Sequence, residues 1–225
     1  KRGFIFFALR GHKLNGEKYI NEAIQKGAIL IVCSTKCKII NKKILIIKTT
    51  NIRHFLSLIC AKFYKLKPKN IIAVTGTNGK TSVADLFFQI LSINKIPVAS
   101  IGTLGIKYKK NIIKTDLTTP DTILLHQTLS KIKKNKIDNV IIEASSHGLD
   151  QKRIHNLNLK AGIFTNFSQD HLDYHRTMDA YLKSKLVLFS DILLKKKTII
   201  SDKSLKEFSI IKKISRKKNL KLIDI

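Results

Sequence analysis

The sequence predicts an α/β protein in which a small N-terminal α/β domain precedes a larger domain with a doubly wound, mostly parallel sheet. From Asn70 onward, short apolar runs rich in β-branched residues alternate with segments of helical period, which is typical of parallel βαβ units. Runs such as Val140-Ile141-Ile142 are apolar at every position, as expected for strands covered on both faces. The first of these strands leads through a glycine-containing loop into a helix.

The N-terminal domain is predicted from three apolar runs and two amphipathic segments. We expect strands at 4–9, 28–33 and 44–47, and helices at 17–26 and 52–64. The polar, proline-containing stretch 65–69 then reads as a linker. We therefore predict a partial N-terminal domain at 1–66 and a central domain at 67–225.

The central domain is predicted to alternate strands at 70–75, 97–101, 138–143, 161–165 and 198–200 with helices at 80–93, 121–134, 177–190 and about 203–214. Ligands of such sheets bind beyond the carboxyl ends of the strands. The segments that follow those ends hold most of the distinctive polar residues, and they are 76–80, 102–104, 143–148 and 166–171.

Composition disfavours some classes of function and leaves one open, a basic face that binds an anionic substrate. The net charge is +28 over 225 residues, but lysines are dispersed and aromatic residues make up only 7%. This pattern disfavours a dedicated nucleic-acid binder, in which aromatic and basic residues interleave, and suits solvated surface charge. Cys33, Cys37 and Cys60 lack metal-ligand spacing, so we expect reduced thiols. No apolar run has the length of a membrane span.

A phosphate-binding loop is predicted between the first central strand and its helix. The segment reads Thr75-Gly76-Thr77-Asn78-Gly79-Lys80-Thr81-Ser82. Backbone N–H groups at such a junction face an anion. Lys80 is expected at the β- and γ-phosphates and Thr81 at Mg²⁺. A strict P-loop has glycine where this chain has Val74, so the loop is a variant.

Two further segments carry candidate metal ligands. Glu143 leaves an apolar strand and starts the run Glu143–Gly148, where a carboxylate suits Mg²⁺; a helix-capping serine pair beside a surface Glu and His is the alternative. The run from Asn166 to His175 holds two Asp and two His, which favours metal or phosphate chemistry. The residues alone predict an ATP-dependent enzyme with Mg²⁺ and leave the acceptor open. Lys185, taken alone, is an ordinary helix lysine.

Together these motifs resemble the Mur ligase family. The carriers are the variant loop, the run from Glu143 to Leu149 with Gln151 and Arg153, the run from Asn166 to His175, and the opening segment from Phe4 to Gly16. Within the family, the resemblance is to the branch that adds the third amino acid, meso-diaminopimelate or lysine, to UDP-N-acetylmuramoyl-L-alanyl-D-glutamate. It covers most of residues 3–190.

The resemblance implies roles for individual residues. ATP would be held by the loop residues Gly76, Thr77, Asn78, Gly79, Lys80, Thr81 and Ser82. One Mg²⁺ would be bound by Thr81 and Glu143, and a second by His171 and by Lys185 after CO₂ converts its amine to a carbamate. The catalytic residues would be Lys80, His171 and Lys185. The UDP-muramoyl-dipeptide would contact His12, Lys13, Leu14, Thr118, Thr119, Ser145, Gln151 and Arg153.

The resemblance further implies a cytoplasmic, monomeric amide ligase that acts through an acyl phosphate. The family has three domains, so we expect this chain to lack the start of the first domain and all of the C-terminal, amino-acid-binding one. On that expectation, the chain binds nucleotide and precursor but does not complete ligation alone. Two alternatives stay open at this point: another ligase of the superfamily, such as a folylpolyglutamate synthetase, and a basic P-loop NTPase associated with nucleic acid.

Overall fold

The computed structural model describes residues 3–11, 14–41 and 43–225. The chain divides into two compact units, 1–59 and 60–225. His12 and Lys13, two of the predicted substrate contacts, lie outside the described residues. Within the described ranges, none of the helices is long and apolar enough to cross a bilayer.

The first unit contains a three-stranded parallel sheet in the order β1-β2-β3, formed by β1 (Phe4–Phe7), β2 (Ala28–Ser34) and β3 (Leu45–Thr49). A 3₁₀ turn (Gly16–Tyr19) leads into α1 (Ile20–Gln25), so the predicted helix at 17–26 is only partly α-helical. β1 ends before the predicted Leu9, because the Leu9 N–H turns back to the Phe7 carbonyl at 2.8 Å. The division between the units falls within α2 (Ile52–Phe63).

The second unit is built on an eight-stranded sheet, and its first half follows the predicted alternation. The elements in chain order are β4 (Asn70–Thr75), α3 (Lys80–Ile93), β5 (Val98–Gly102), β6 (Gly105–Tyr108), β7 (Asn111–Ile113), α4 (Thr122–Lys134) and β8 (Asn139–Glu143). The β6 and β7 strands extend the sheet as antiparallel neighbours of β5. They were not predicted, because they form an antiparallel addition outside the strand–helix alternation on which the prediction rests.

The second half of this unit continues with α5 (Ser146–Asp150), β9 (Leu159–Phe164), α6 (Leu172–His175), α7 (Met178–Val187), β10 (Thr198–Ser201), α8 (Phe208–Lys218) and β11 (Lys221–Asp224). The short helices α5 and α6 and the strand β11 were not predicted. α7 passes into a π-helical turn at Leu188–Ile192, so the predicted helix at 177–190 is not uniform. α8 starts later than predicted, because the Asp202 carboxylate first caps a turn at the Ser204 N–H (2.7 Å).

The sheet order is β11-β10-β9-β4-β8-β5-β6-β7, and all pairs except those of β6 and β7 are parallel. The predicted doubly wound, mostly parallel sheet is therefore confirmed. One apolar cluster packs Leu125, Leu129 and Ile132 of α4 against the sheet. A second cluster joins Ala84 of α3 to Val74 and Ile141. Both faces are thus covered, which explains the uninterrupted apolar strands.

Candidate active site

The strand register brings the predicted site segments to one edge of the sheet. β4 lies between β9 and β8, and Thr75 pairs with Phe164 while Val74 pairs with Glu143. β5 lies on the far side of β8. The residues that follow these carboxyl ends are therefore neighbours in space. The phosphate loop after β4 lies between Glu143 on one side and the segment after β9 on the other.

The phosphate loop is braced by the segment after β9. The Thr165 hydroxyl donates to the Asn78 carbonyl at 2.6 Å, and the Asn166 side-chain oxygen accepts the Asn78 N–H at 2.8 Å. Gly76 has φ +148°, and a Cβ there would lie 1.9 Å from the Thr165 hydroxyl oxygen. Only glycine allows the loop to approach β9 this closely. Gly79, at φ 81°, then caps α3.

Two lysines converge on one carbonyl of the phosphate loop. Lys80 Nζ donates to the carbonyl oxygens of Gly76 (2.9 Å) and Thr77 (2.7 Å). Lys185 Nζ, from α7, donates to the same Gly76 oxygen at 2.6 Å. Two cationic groups at one acceptor repel each other, so this loop concentrates positive charge where phosphate oxygens would bind.

Lys185 is buried, with a relative exposure of 1%. Burial, helped by the nearby Lys80 charge, lowers the pKa of Lys185 from 10.5 to about 7, because a low-dielectric environment disfavours the ammonium. Its Nζ also lies 4.3 Å from the centroid of the Tyr181 ring. A substantial fraction of neutral, nucleophilic amine is therefore present near neutral pH. The pKa of Lys80 is lowered by burial too, against the raising effects of Glu143 and Asp170.

Glu143 forms a compact oxygen cluster with two threonines. Its carboxylate accepts the Thr81 hydroxyl at 2.8 Å, the Thr103 N–H at 2.9 Å and the Thr103 hydroxyl at 3.2 Å. It is 2% exposed, and no ion pair to it occurs among the described residues. A buried carboxylate is costly without a cation. Oxygen ligands around a buried charge fit Mg²⁺.

His171, predicted to help hold a second Mg²⁺, belongs to an aromatic cluster beside the loop. Its ring centroid lies 4.9 Å from that of His147 and 6.1 Å from that of Tyr181. Burial and the neighbouring imidazoles lower the pKa values of His147 and His175. Across the described residues, no three His, Cys, Asp or Glu side chains form a metal-binding group.

The predicted substrate contacts of the second unit form a connected network beside Glu143. The Thr119 hydroxyl donates to the Glu143 carbonyl at 2.7 Å and accepts the Ser145 N–H at 2.9 Å. The backbone carbonyl of Thr119 accepts a hydrogen bond from the Arg153 guanidinium at 2.5 Å. Arg153 also reaches Gln151 Oε1 at 2.8 Å. The Thr118 hydroxyl lies 3.1 Å from that of Thr103.

Ser145 has a second part in this region, because its hydroxyl caps α5 by accepting the Gly148 N–H at 3.1 Å. The capping described by the alternative interpretation is therefore present at Ser145, whereas Glu143 is buried rather than on the surface. Leu14 lies in the first compact unit and is 63% exposed.

Three residues that sequence reasoning did not single out have clear places in the site. Thr103 binds Glu143 through both its N–H and its hydroxyl, Thr165 braces the loop, and Tyr181 underlies Lys185. Thr103 directly follows β5 and Thr165 directly follows β9, and ligands of such sheets bind beyond the carboxyl ends of the strands. Tyr181 stands four residues before Lys185, the spacing of neighbours on a helix face.

A variant phosphate loop, a buried lysine and a buried carboxylate at the carboxyl edge of a doubly wound sheet form the kind of site found in phosphate-binding α/β domains. The sequence profile of the Mur ligase middle domain matches residues 74–225, and that of the Mur ligase family, catalytic domain, matches residues 1–64. The chain belongs to the Mur ligase family. The middle-domain match extends to the last residue, whereas the sequence motifs showed resemblance only to about residue 190.

Among curated relatives, the chain is 42% identical over 224 residues to a protein of Zymomonas mobilis named UDP-N-acetylmuramoyl-L-alanyl-D-glutamate--2,6-diaminopimelate ligase, covering 100% of this chain and 46% of the relative. A solved structure of a ligase with the same name superposes with a TM-score of 0.83 at 28% identity, covering 100% of this chain and 46% of that one. The chain thus spans about half the length of these relatives.

A more distant structure shares the fold. E. coli FolC in complex with DHPP and ADP superposes with a TM-score of 0.56 at 19% identity, covering 75% of this chain and 45% of that one. At that identity the likeness concerns the fold alone.

Proposed function

We propose that this chain supplies the nucleotide-binding and carboxylate-activating part of an ATP-dependent ligase that adds an amino acid to UDP-N-acetylmuramoyl-L-alanyl-D-glutamate. The observation that carries the proposal is the convergence of Lys80 and Lys185 on the Gly76 carbonyl, next to the Glu143–Thr81 pair. Such a site can bind the phosphates of ATP and stabilise charge that develops during phosphoryl transfer. The names of the relatives point to diaminopimelate as the added amino acid, with lysine as the alternative.

ATP would bind with its phosphates over residues 76–82. Lys80 would exchange its two loop carbonyls, at 2.9 and 2.7 Å, for β- and γ-phosphate oxygens. The exchange is favourable, because a charge-assisted bond to phosphate is stronger than a bond to a neutral carbonyl. Ser82, in the first turn of α3, would offer its backbone N–H to the same phosphates.

The donor set near the loop fits Mg²⁺, with Thr81 and Glu143 as the protein ligands and His171 and carbamylated Lys185 as candidates for a second ion. When bound, Mg²⁺ would neutralise phosphate charge. Carbamylation would need the neutral amine of Lys185, whose pKa of about 7 makes that form available. The amine nitrogen would bond to the carbon of CO₂ and lose one proton, giving an anionic N-carboxylate.

The reaction would then proceed by two displacements. The D-glutamyl γ-carboxylate attacks the γ-phosphorus of ATP, and ADP leaves. The incoming amine attacks the carbonyl carbon of the acyl phosphate, loses a proton and expels inorganic phosphate. Lys80 would stabilise the transferring phosphoryl group, while Thr118, Thr119, Ser145, Gln151 and Arg153 would orient the dipeptide. Orientation matters, because an acyl phosphate exposed to water hydrolyses.

The proposal assigns separate tasks to the two parts of the chain. Residues 1–66, with His12, Lys13 and Leu14, would bind the UDP sugar, and residues 67–225 would bind ATP. We further propose a cytoplasmic location and a monomeric state, since nucleotide-linked precursors and ATP are cytoplasmic substrates.

Isotope transfer tests the reaction class directly. UDP-muramoyl-dipeptide labelled with ¹⁸O in the γ-carboxylate is incubated with ATP, diaminopimelate and the protein, and released phosphate is analysed by ³¹P NMR. Acyl-phosphate chemistry places one ¹⁸O in each phosphate, whereas direct hydrolysis of ATP by water places none. Because the chain spans about half of its relatives, the assay uses the product of the complete reading frame. Unlabelled phosphate, or no ATP consumption by that product, would overturn the proposal.

A folylpolyglutamate-type ligase is the second candidate, favoured only by the shared fold with FolC. Substrate competition separates the two. ATP turnover that depends on UDP-muramoyl-dipeptide and ignores dihydropteroate supports the first proposal, and the reverse dependence supports the second. A nucleic-acid-associated NTPase would instead show DNA or RNA affinity that falls steeply with salt, with ATP turnover insensitive to both substrates.

A further inference from the structure

Tyr181 contacts both Lys185 and the phosphate loop. It is fully buried on α7, with a relative exposure of 0%. Its ring centroid lies 4.3 Å from Lys185 Nζ, one helical turn later. A cation at this distance over an aromatic face is attracted by the ring quadrupole, and the attraction is larger in a desolvated position.

The hydroxyl of Tyr181 reaches the phosphate loop. It donates to the Thr77 side-chain oxygen at 3.3 Å. Thr77 in turn donates to the Ser168 carbonyl at 3.1 Å and accepts the Ser168 N–H at 3.0 Å. The ring itself packs against Phe167 and His175, each with a centroid distance of 5.2 Å. One side chain therefore connects α7, the loop and the segment after β9.

We propose that Tyr181 is the positioning residue of Lys185: its ring holds the lysine ammonium against the Gly76 carbonyl and so fixes where that group stands before it loses a proton and reacts with CO₂. The CO₂ step rests on the proposed function, whereas the placement of the amine does not. A lysine side chain has many rotamers, and holding it in one of them costs conformational entropy. The Gly76 oxygen on one side and the Tyr181 ring on the other restrict that freedom.

Three variants separate positioning from simple core packing. Tyr181→Phe keeps the ring and removes the hydroxyl, and Tyr181→Leu removes the ring. Phe189→Leu is the matched control, because Phe189 is equally buried just after α7 but packs against Phe164, with ring centroids 6.2 Å apart. Circular dichroism and the thermal midpoint establish that each variant is folded before it is compared.

The first readout is the NMR signal of the Lys185 ε-methylene in ¹³C-lysine-labelled protein, assigned by its disappearance in Lys185→Arg. A methylene above an aromatic face is shifted upfield by the ring current. We expect the upfield shift in the wild type, Tyr181→Phe and Phe189→Leu, and its loss in Tyr181→Leu. A wild-type signal at the ordinary lysine position would overturn the proposal.

The second readout is the ¹³C carbamate signal at Lys185 in ¹³C-bicarbonate. The ring attracts the ammonium and not the neutral amine or the anionic carbamate, so its removal in Tyr181→Leu should raise carbamate occupancy, while Phe189→Leu stays near the wild-type level. A contact worth about 1 kcal/mol corresponds to a rise of up to roughly fivefold at a pH where the ammonium predominates. Equal occupancies in the two leucine variants, or a fall in Tyr181→Leu, would overturn the proposal. A wild type that shows the ring-current shift but never a carbamate supports the placement of the amine and contradicts the Lys185 step of the proposed function.

Discussion

At the residue scale, the same side-chain type serves opposite purposes in this chain. Most of its lysines lie on the surface, whereas Lys185 is 1% exposed and is held by a carbonyl and an aromatic ring. Burial changes its chemistry, because it makes the neutral amine available at neutral pH. The protonation chemistry of this lysine therefore depends on its surroundings.

His126 provides a test of burial effects away from the site. It is 0% exposed, and neither ring nitrogen has a hydrogen-bond partner among the described residues. Burial, with a smaller effect of Lys67, lowers its pKa from 6.5 to about 4. In the unfolded chain His126 takes up a proton below pH 6.5, whereas in the folded chain it does so only near pH 4. The contribution of neutral His126 to the free energy of unfolding is therefore fully present above pH 6.5 and is lost as the pH falls toward 4.

We expect the titration of His126 to lower the free energy of unfolding of the wild type by roughly 3 kcal/mol when the pH falls from about 7 to about 4. His126→Leu removes this contribution, so the variant should lose less stability on acidification, as measured by urea unfolding at both pH values. His54→Leu, at an exposed position of α2, is the control. If the wild type and His126→Leu lose the same free energy of unfolding on acidification, burial of His126 does not cause the acid sensitivity.

At the element scale, the phosphate loop was predictable because its signal is local: a strand, a glycine-containing loop and a helix in succession. Lys80 and Thr81 follow from that motif, whereas Lys185 was identified only through resemblance. Its burial depends on how α7 packs against the loop, which a lysine at helical spacing does not reveal. β6 and β7 were missed because they form an antiparallel addition outside the strand–helix alternation used for the prediction. β11 was missed although β10, which is equally short, was predicted, because the two apolar residues of β11 lie between Lys221 and Asp224.

Gly102, the last residue of β5, tests how neighbouring strands build the site. A Cβ at Gly102 would lie 2.0 Å from Glu143 Oε1, so alanine must displace the carboxylate. Glu143 would then separate from Thr81, now 2.8 Å away. We expect Gly102→Ala to weaken the Mg²⁺ dependence of nucleotide binding at least about tenfold, since one charged ligand is misplaced.

Gly11→Ala is the control for this substitution, because its Cβ would meet the Leu14 carbonyl at an ordinary 3.4 Å. Titration of both variants with ADP at several Mg²⁺ concentrations makes the comparison. A Gly102→Ala protein with wild-type Mg²⁺ dependence would show that Glu143 does not act on the metal.

At the scale of the whole molecule, the sheet order gathers groups from four strands at one edge, while the charge is spread over the entire chain. A net charge of +28 on 225 residues produces self-repulsion that opposes the compact state. The same excess of positive charge favours the approach of anionic ligands. Charge therefore affects stability and encounter, whereas the placement of Lys80, Glu143 and Lys185 determines the proposed chemistry.

Salt should stabilise this protein. Raising sodium chloride from about 0.01 M to about 0.1 M shortens the Debye length from roughly 30 Å to roughly 10 Å, which screens repulsion between lysines. We expect the thermal midpoint to rise, and an equal ionic strength of potassium chloride should have the same effect. A midpoint that falls with added salt would mean that attractive ion pairs outweigh the repulsion.

Calorimetric titration of the protein with MgATP tests whether the loop at residues 76–82 holds the nucleotide phosphates. We expect one site per chain, with affinity lowered at least about tenfold in Lys80→Ala, because a charge-assisted bond to phosphate is lost. Lys131→Ala, at an exposed lysine of α4, should bind like the wild type. An absence of MgATP binding by the wild type, or equal affinity in Lys80→Ala, would show that this loop does not hold the nucleotide phosphates.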